Sequence, residues 1–239
     1  MVHIEFEKRD LKTLYTIGAG ISLLQLFVII LYMLVMAIFG PRITSAEAFF
    51  VVQKTESFAV LLRGDLLLLV LVGLYLGNFP ALLVSLWRTK PLTTLFAFLF
   101  TIIAISLSFS GESSFALFHL GKLYAAAGSD LERSQIVAAG EALLANGWWN
   151  STGSYLTGIL LQGGGVMISI VMLNSVEFSK ITAIAGIIGN SFDLLQHLLA
   201  PFTPDISEYL SFAMILYLVW YPMLARDLFR LAKKQSAES

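Results

Sequence analysis

The sequence predicts an all-α fold, a polytopic membrane helix bundle of six transmembrane helices with a short outer interfacial helix. Three observations carry this reading. Charged residues make up only 13% of the 239 positions, about half of the roughly 25% that a soluble domain carries. That supply is too small to cover the molecule with a water-facing surface. Hydrophobic residues reach 57% and the mean hydropathy is +0.81. The apolar residues also gather into long runs, and a bilayer core needs about 20 such residues per helix.

Six runs qualify, at about 14–39, 58–86, 92–120, 149–173, 181–200 and 207–229, all within one integral membrane domain over 1–239. The first resembles a signal peptide, with Ala46-Glu47-Ala48 as a cleavage-like site. Its apolar stretch far exceeds an h-region of about 7–15 residues, so it reads as a retained helix. Assigning loops alternately puts ten Lys and Arg on one side, among them Lys8, Arg88, Lys180, Arg226 and Lys234. The other side receives five: Arg42, Lys54, Arg63, Lys122 and Arg133. The positive-inside rule then places both termini in the cytoplasm.

The short inner connections 87–91 and 174–180 make the second and third runs, and the fourth and fifth, antiparallel neighbours. The outer connections 40–57 and 121–148 are longer. In SDLERSQIVAAGEALL, Ser129 and Glu132 have capping-box spacing, which predicts an outer helix over 130–145. Trp148 and Trp149 read as aromatic-belt residues at the outer boundary of the fourth run.

In a membrane bundle, helix faces carrying small and polar residues point away from lipid. Three runs show such faces at three- and four-residue spacing. The fourth offers Ser151, Ser154, Gly158, Gln162, Gly165 and Ser169. The fifth offers Gly186, Asn190, Asp193 and His197, and the third offers Thr101, Ala104, Ser108 and Glu112, with His119 two turns on. Asp193 lies about 10 Å inside the outer end of its helix at about 1.5 Å per residue. That depth falls near Ser154 and Tyr155 on the fourth run. Since ionisable residues gather in the outer half, the faces predict an outward-opening polar cavity that binds a small or lipid-like molecule. The candidate ligand-binding residues are Asp193, His197, Asn190, Gln162, Ser154, Tyr155 and Glu112.

Each feature also has a purely structural reading. Arg63 and Asp65 suit an interface, Gln162 and Asn190 suit interhelical glue, and Gly163-Gly164-Gly165 suits close helix contact or a kink. Asn78 and Pro80 suggest a bend, with Asn78 satisfying a freed backbone group. Asp193 is the hardest to explain structurally, because a carboxylate at that depth costs a few kcal/mol.

Other chemistries compete with binding. A zinc hydrolase would draw on His197, Asp193, His119 and Glu112, and a bis-histidine haem on His119 and His197. A Ser/His/Asp arrangement lacks any nucleophile motif such as GxSxG. Proton-coupled transport of a small molecule would use Asp193 beside His197, though no inverted repeat is visible. No cofactor is predicted, and enzymatic activity is left open with binding preferred. Net charge −1 without a basic patch sets nucleic acid aside as a partner. Membrane lipids remain as partners, and the absence of Cys rules out disulfides.

The segment AGEALL (139–144), the Phe178-Ser179-Lys180 turn leading to Gly186 and Gly189, and the close with Trp220, Arg226 and Arg230 carry a resemblance. Over about residues 40–230 the chain resembles a family of six-helix membrane proteins catalogued as domain of unknown function 4386. The resemblance implies a bacterial or archaeal protein, hence a location in the prokaryotic inner membrane. It brings no activity and assigns no residue a role.

Overall fold

The computed structural model describes residues 7–63, 65–146, 151–203 and 212–237, and every regular element among them is an α-helix. Four helical stretches are long and apolar enough to cross a membrane: Lys8–Phe39, Leu66–Leu86, Pro91–Ala126 and Thr152–Leu173. These correspond to the first four runs. The fifth run is a 20-residue helix whose second half carries Asn190, Asp193, Gln196 and His197, which dilute its apolar character. The helix of the sixth run continues to Ala237 and ends in a basic stretch that includes Arg226, Arg230, Lys233 and Lys234. Trp148, Trp149 and the expected helix starts at 149 and 207 lie outside the described residues.

The helices are α1 (Lys8–Phe39), α2 (Ala46–Thr55), α3 (Ser57–Arg63), α4 (Leu66–Gly73), α5 (Tyr75–Leu86) and α6 (Pro91–Gly111). They continue with α7 (Ser114–Ala126), α8 (Asp130–Ala145), α9 (Thr152–Leu173), α10 (Lys180–Leu199) and α11 (Ala213–Ala237). The expected loop 40–57 contains α2, a helix too short and mixed to stand out by hydropathy. The second run is divided where polar groups turn to partners. Arg63 donates to the Pro41 carbonyl at 2.9 Å, and Asp65 accepts from Arg42 at 3.1 Å. It is divided again at Leu74. The third run breaks after Gly111, where Glu112 Oε1 accepts from the Ser114 backbone N–H at 2.6 Å and so caps α7.

The chain forms two compact units, one from residues 1–27, 73–105 and 158–239, the other from 28–72 and 106–157. The second unit is built on Phe49, Phe50, Val60, Leu117 and Leu144 from α2, α3, α7 and α8. The starts of α2 and α8 are capped by side chains. Ser45 accepts from Ala48 N–H at 3.3 Å, while Glu141 of α8 accepts from Ala46 N–H at 2.7 Å. Two of the four donors that a helix N-terminus leaves unpaired are thereby satisfied. At α8, Ser129 accepts from Glu132 N–H at 3.2 Å and the Glu132 carboxylate accepts from Gly128 N–H at 2.9 Å. The helix bounds agree with those that the capping-box spacing indicated.

In the first unit, Trp220, Tyr221, Leu224 and Leu228 lie on one face of α11 and are fully buried, as are Phe79, Leu82, Leu86, Ile168 and Met172. The start of α10 is fixed from α11. Asp227, fully buried, accepts through Oδ2 from Ser179 N–H at 2.8 Å and from the Thr182 hydroxyl at 2.5 Å. A carboxylate suits that place, because it meets unpaired N–H groups at the positive end of the helix dipole. Its other oxygen faces Arg230 at 3.4 Å, and Arg230 also donates to the Glu177 carbonyl at 2.6 Å. Lys234 lies 3.5 Å from the Glu177 carboxylate. The basic end of α11 thus staples the α9–α10 connection.

Candidate functional site

The polar faces anticipated on the fourth and fifth runs meet each other. Within the first unit, α9 and α10 run antiparallel, and their small and polar residues pair in strict register. A Cβ at Gly158 would overlap the His197 ring, one at Gly165 would overlap the Asn190 carboxamide, and one at Gly186 would overlap the Ser169 hydroxyl. The matched positions are 158 with 197, 165 with 190 and 169 with 186. Gln162 and Asp193 hold the corresponding middle place. The steps are four, three and four residues on both helices, the spacing of a coiled-coil seam. Each glycine receives a large or polar side chain from its neighbour, so the backbones approach closely, as small residues permit in membrane helices.

Tyr217 of α11 closes the middle of this seam. Its hydroxyl lies 2.9 Å from Gln162 Oε1, 2.9 Å from Asp193 Oδ2 and 3.4 Å from Asn190 Oδ1. Asn190 is oriented by its own amide, which donates to the Gly186 carbonyl at 2.7 Å. His197 brings Nδ1 to 2.8 Å from the Asp193 backbone carbonyl and 3.5 Å from Asp193 Oδ1. The Tyr217 ring stacks on that of Tyr221 with centroids 5.6 Å apart, and the Tyr221 hydroxyl meets that of Tyr75 at 2.6 Å. Further along α5, Asn78 donates to Gln25 of α1 at 2.6 Å. Asn78 therefore serves a side chain on α1 and not the backbone group expected for it.

Exposure varies along the seam. Asn190 and Gln162 are buried, at 1% and 7%, whereas the side chains of His197 and Asp193 keep 22% and 18% of their surface open. The seam is sealed in its middle and open at the His197 end.

Four of the expected site residues, Gln162, Asn190, Asp193 and His197, therefore come together. Depth counting pointed to Ser154 and Tyr155 as partners of Asp193. In the observed register its opposite number is Gln162, about two turns further along α9. The counting assumed that both helices end level at the membrane face, and the helices instead set their register by fitting side chains over glycines. Ser154, Tyr155, Glu112 and His119 belong to the second unit. There the Ser154 hydroxyl donates to the Ser151 carbonyl at 2.8 Å, Glu112 caps α7, and His119 is exposed. Among the described residues, no group of three His, Asp or Glu is placed to hold a metal ion.

Tyr217, Tyr221 and Tyr75 were not recognised from sequence as part of the site. The signal for Tyr217 and Tyr221 is present in LYLVWYPML, where 217, 220, 221 and 224 fall on one helix face, while Tyr75 lies apart at the start of α5. Asp227 was also missed, because it sits among Arg226, Arg230, Lys233 and Lys234 and reads as part of a solvated basic close. No family model, curated protein or solved structure matches the chain.

Proposed function

We propose that the chain is a six-span protein of the prokaryotic inner membrane, with both termini cytoplasmic, that binds a small or lipid-like molecule at the open end of the α9–α10 seam. In this reading α10 and α11 join the four helices that are apolar enough to span by themselves. The positive-inside count supports the orientation. One observation carries the binding site: Asp193 and His197 keep about a fifth of their side-chain surface open while the polar residues beside them are sealed. A stripe that served only as glue would be sealed throughout. At the open end a ligand meets a carboxylate acceptor and an imidazole, both held from within by Tyr217 and the α10 backbone.

Mass spectrometry of gently extracted protein tests this directly. Wild type should carry a co-purifying lipid or small molecule, and Asp193→Asn and His197→Ala should lose most of it. A bare wild-type mass, or an adduct retained by both variants, would contradict the proposal.

A further inference from the structure

We infer that Asp193, Tyr217, Gln162 and Asn190 form a site for one small monovalent cation, either a proton or Na⁺. Three side-chain oxygens approach the Tyr217 hydroxyl, at 2.9, 2.9 and 3.4 Å, and a phenol has one proton to give. The Asn190 oxygen cannot be turned away, since its amide nitrogen is committed to the Gly186 carbonyl at 2.7 Å. Rotating the Gln162 amide would bring a donor to Tyr217. It would still leave the Asp193 carboxylate and the Asn190 oxygen facing a single phenol proton.

Charge leads to the same conclusion. Helices α5, α6 and α9 contain no Lys, Arg, His, Asp or Glu, and the described part of α11 has none before Arg226. The charged residues of α1 lie at its start, from Lys8 to Lys12, and the only basic residue of α10 besides His197 is Lys180, at its far end. Among the described residues of the first unit, the titratable groups that the hydrogen bonds and ring contacts link to Asp193 are His197, Tyr217, Tyr221 and Tyr75. His197 presents its near nitrogen to the Asp193 backbone carbonyl at 2.8 Å, closer than the 3.5 Å to the carboxylate. His197 is thus the one basic side chain that these contacts bring to Asp193, and with its near nitrogen turned to the backbone it leaves the Oδ2 side of the carboxylate, where Tyr217 sits, without a positive charge. Four oxygens gather here, three of them on the buried side chains of Tyr217, Gln162 and Asn190, and offer a place for a cation. A cation site next to a ligand site is also what a coupled carrier requires, but the inference holds whether or not the open end binds a ligand.

Thermal unfolding of the purified full chain in NaCl against choline chloride, at constant ionic strength, separates the sources. If the cation is Na⁺, the midpoint rises with saturation, by about 5 °C at a hundredfold excess over the dissociation constant. Asp193→Asn should abolish the rise, His197→Gln should keep it, and Tyr217→Phe should move saturation at least tenfold higher. If the cation is a proton, NaCl and choline curves superimpose, and the infrared spectrum of ¹³C-aspartate-labelled protein shows a protonated carboxyl band. That band should be absent from Asp193→Asn or, should that variant not fold, shifted in Tyr217→Phe. Superimposed curves together with an ionised Asp193 would overturn the inference.

Discussion

Alanine substitutions through Gly163-Gly164-Gly165 should give three different results from three adjacent glycines. Gly165→Ala should destabilise the protein by about 2–4 kcal/mol. Its new methyl would overlap the Asn190 carboxamide, and overpacking costs about 1–3 kcal/mol. Displacing Asn190 also breaks a buried amide bond to Gly186, and leaving such a group unpaired costs about 1–3 kcal/mol. The gain in helix propensity from Gly to Ala, about 1 kcal/mol, is too small to offset both. Gly164→Ala should be milder, because its methyl would sit 3.0 Å from the Ala97 carbonyl and 3.1 Å from the Thr101 hydroxyl of α6. Gly163 has nothing within 4 Å, so its substitution should be neutral or stabilising by up to about 1 kcal/mol. Reversible unfolding in detergent would measure all three. Equal effects at 163 and 165 would show that α9 and α10 do not pack in the register described.

Asp227→Ala should cost about 3 kcal/mol, the second large effect. Two charge-assisted hydrogen bonds to the start of α10 are lost, each worth about 1.5–3 kcal/mol, and a helix N-terminus loses its anion. Part of the loss is recovered because the Thr182 hydroxyl retains the Ser179 hydroxyl at 2.7 Å. Asp227→Asn keeps one acceptor oxygen without the charge and should cost roughly half as much. Since the carboxylate is 1% exposed, the loss should change little between low and high salt. Asp10→Ala is the natural control. Its ion pair with Arg9 is 4.0 Å long and well exposed, and such pairs contribute about 0–1 kcal/mol. An Asp227→Ala protein as stable as wild type would remove the staple from the account.

The helical class and the two polar faces were legible because both follow from side-chain periodicity. The spacing of Gly158, Gln162, Gly165 and Ser169 against Gly186, Asn190, Asp193 and His197 marks two inward faces without reference to any structure. The start of α8 was legible through Ser129 and Glu132. The register between the faces was not, since it is set by which side chain fits over which glycine, and periodicity on one helix contains nothing about its neighbour. Tyr217 escaped notice for a related reason. An aromatic residue in an apolar run reads as core or membrane belt until its hydroxyl is seen to face a carboxylate. Asp227 and Glu112 show the converse limit. Their carboxylates cap helices, Asp227 across a distance in sequence and Glu112 next to a break that hydropathy runs straight through.

Among the described residues the polar seam is sealed at Gln162 and Asn190 and open at Asp193 and His197, and the proposed topology turns that open end towards the outside. The chain has no cysteine, so single-cysteine variants can be read without background. Labelling His197→Cys, Asn190→Cys and Gln162→Cys in intact cells with a membrane-impermeant maleimide is the direct measurement. The account predicts rapid labelling at 197 and little or none at 190 and 162. Equal labelling at all three, or none at 197, would contradict it.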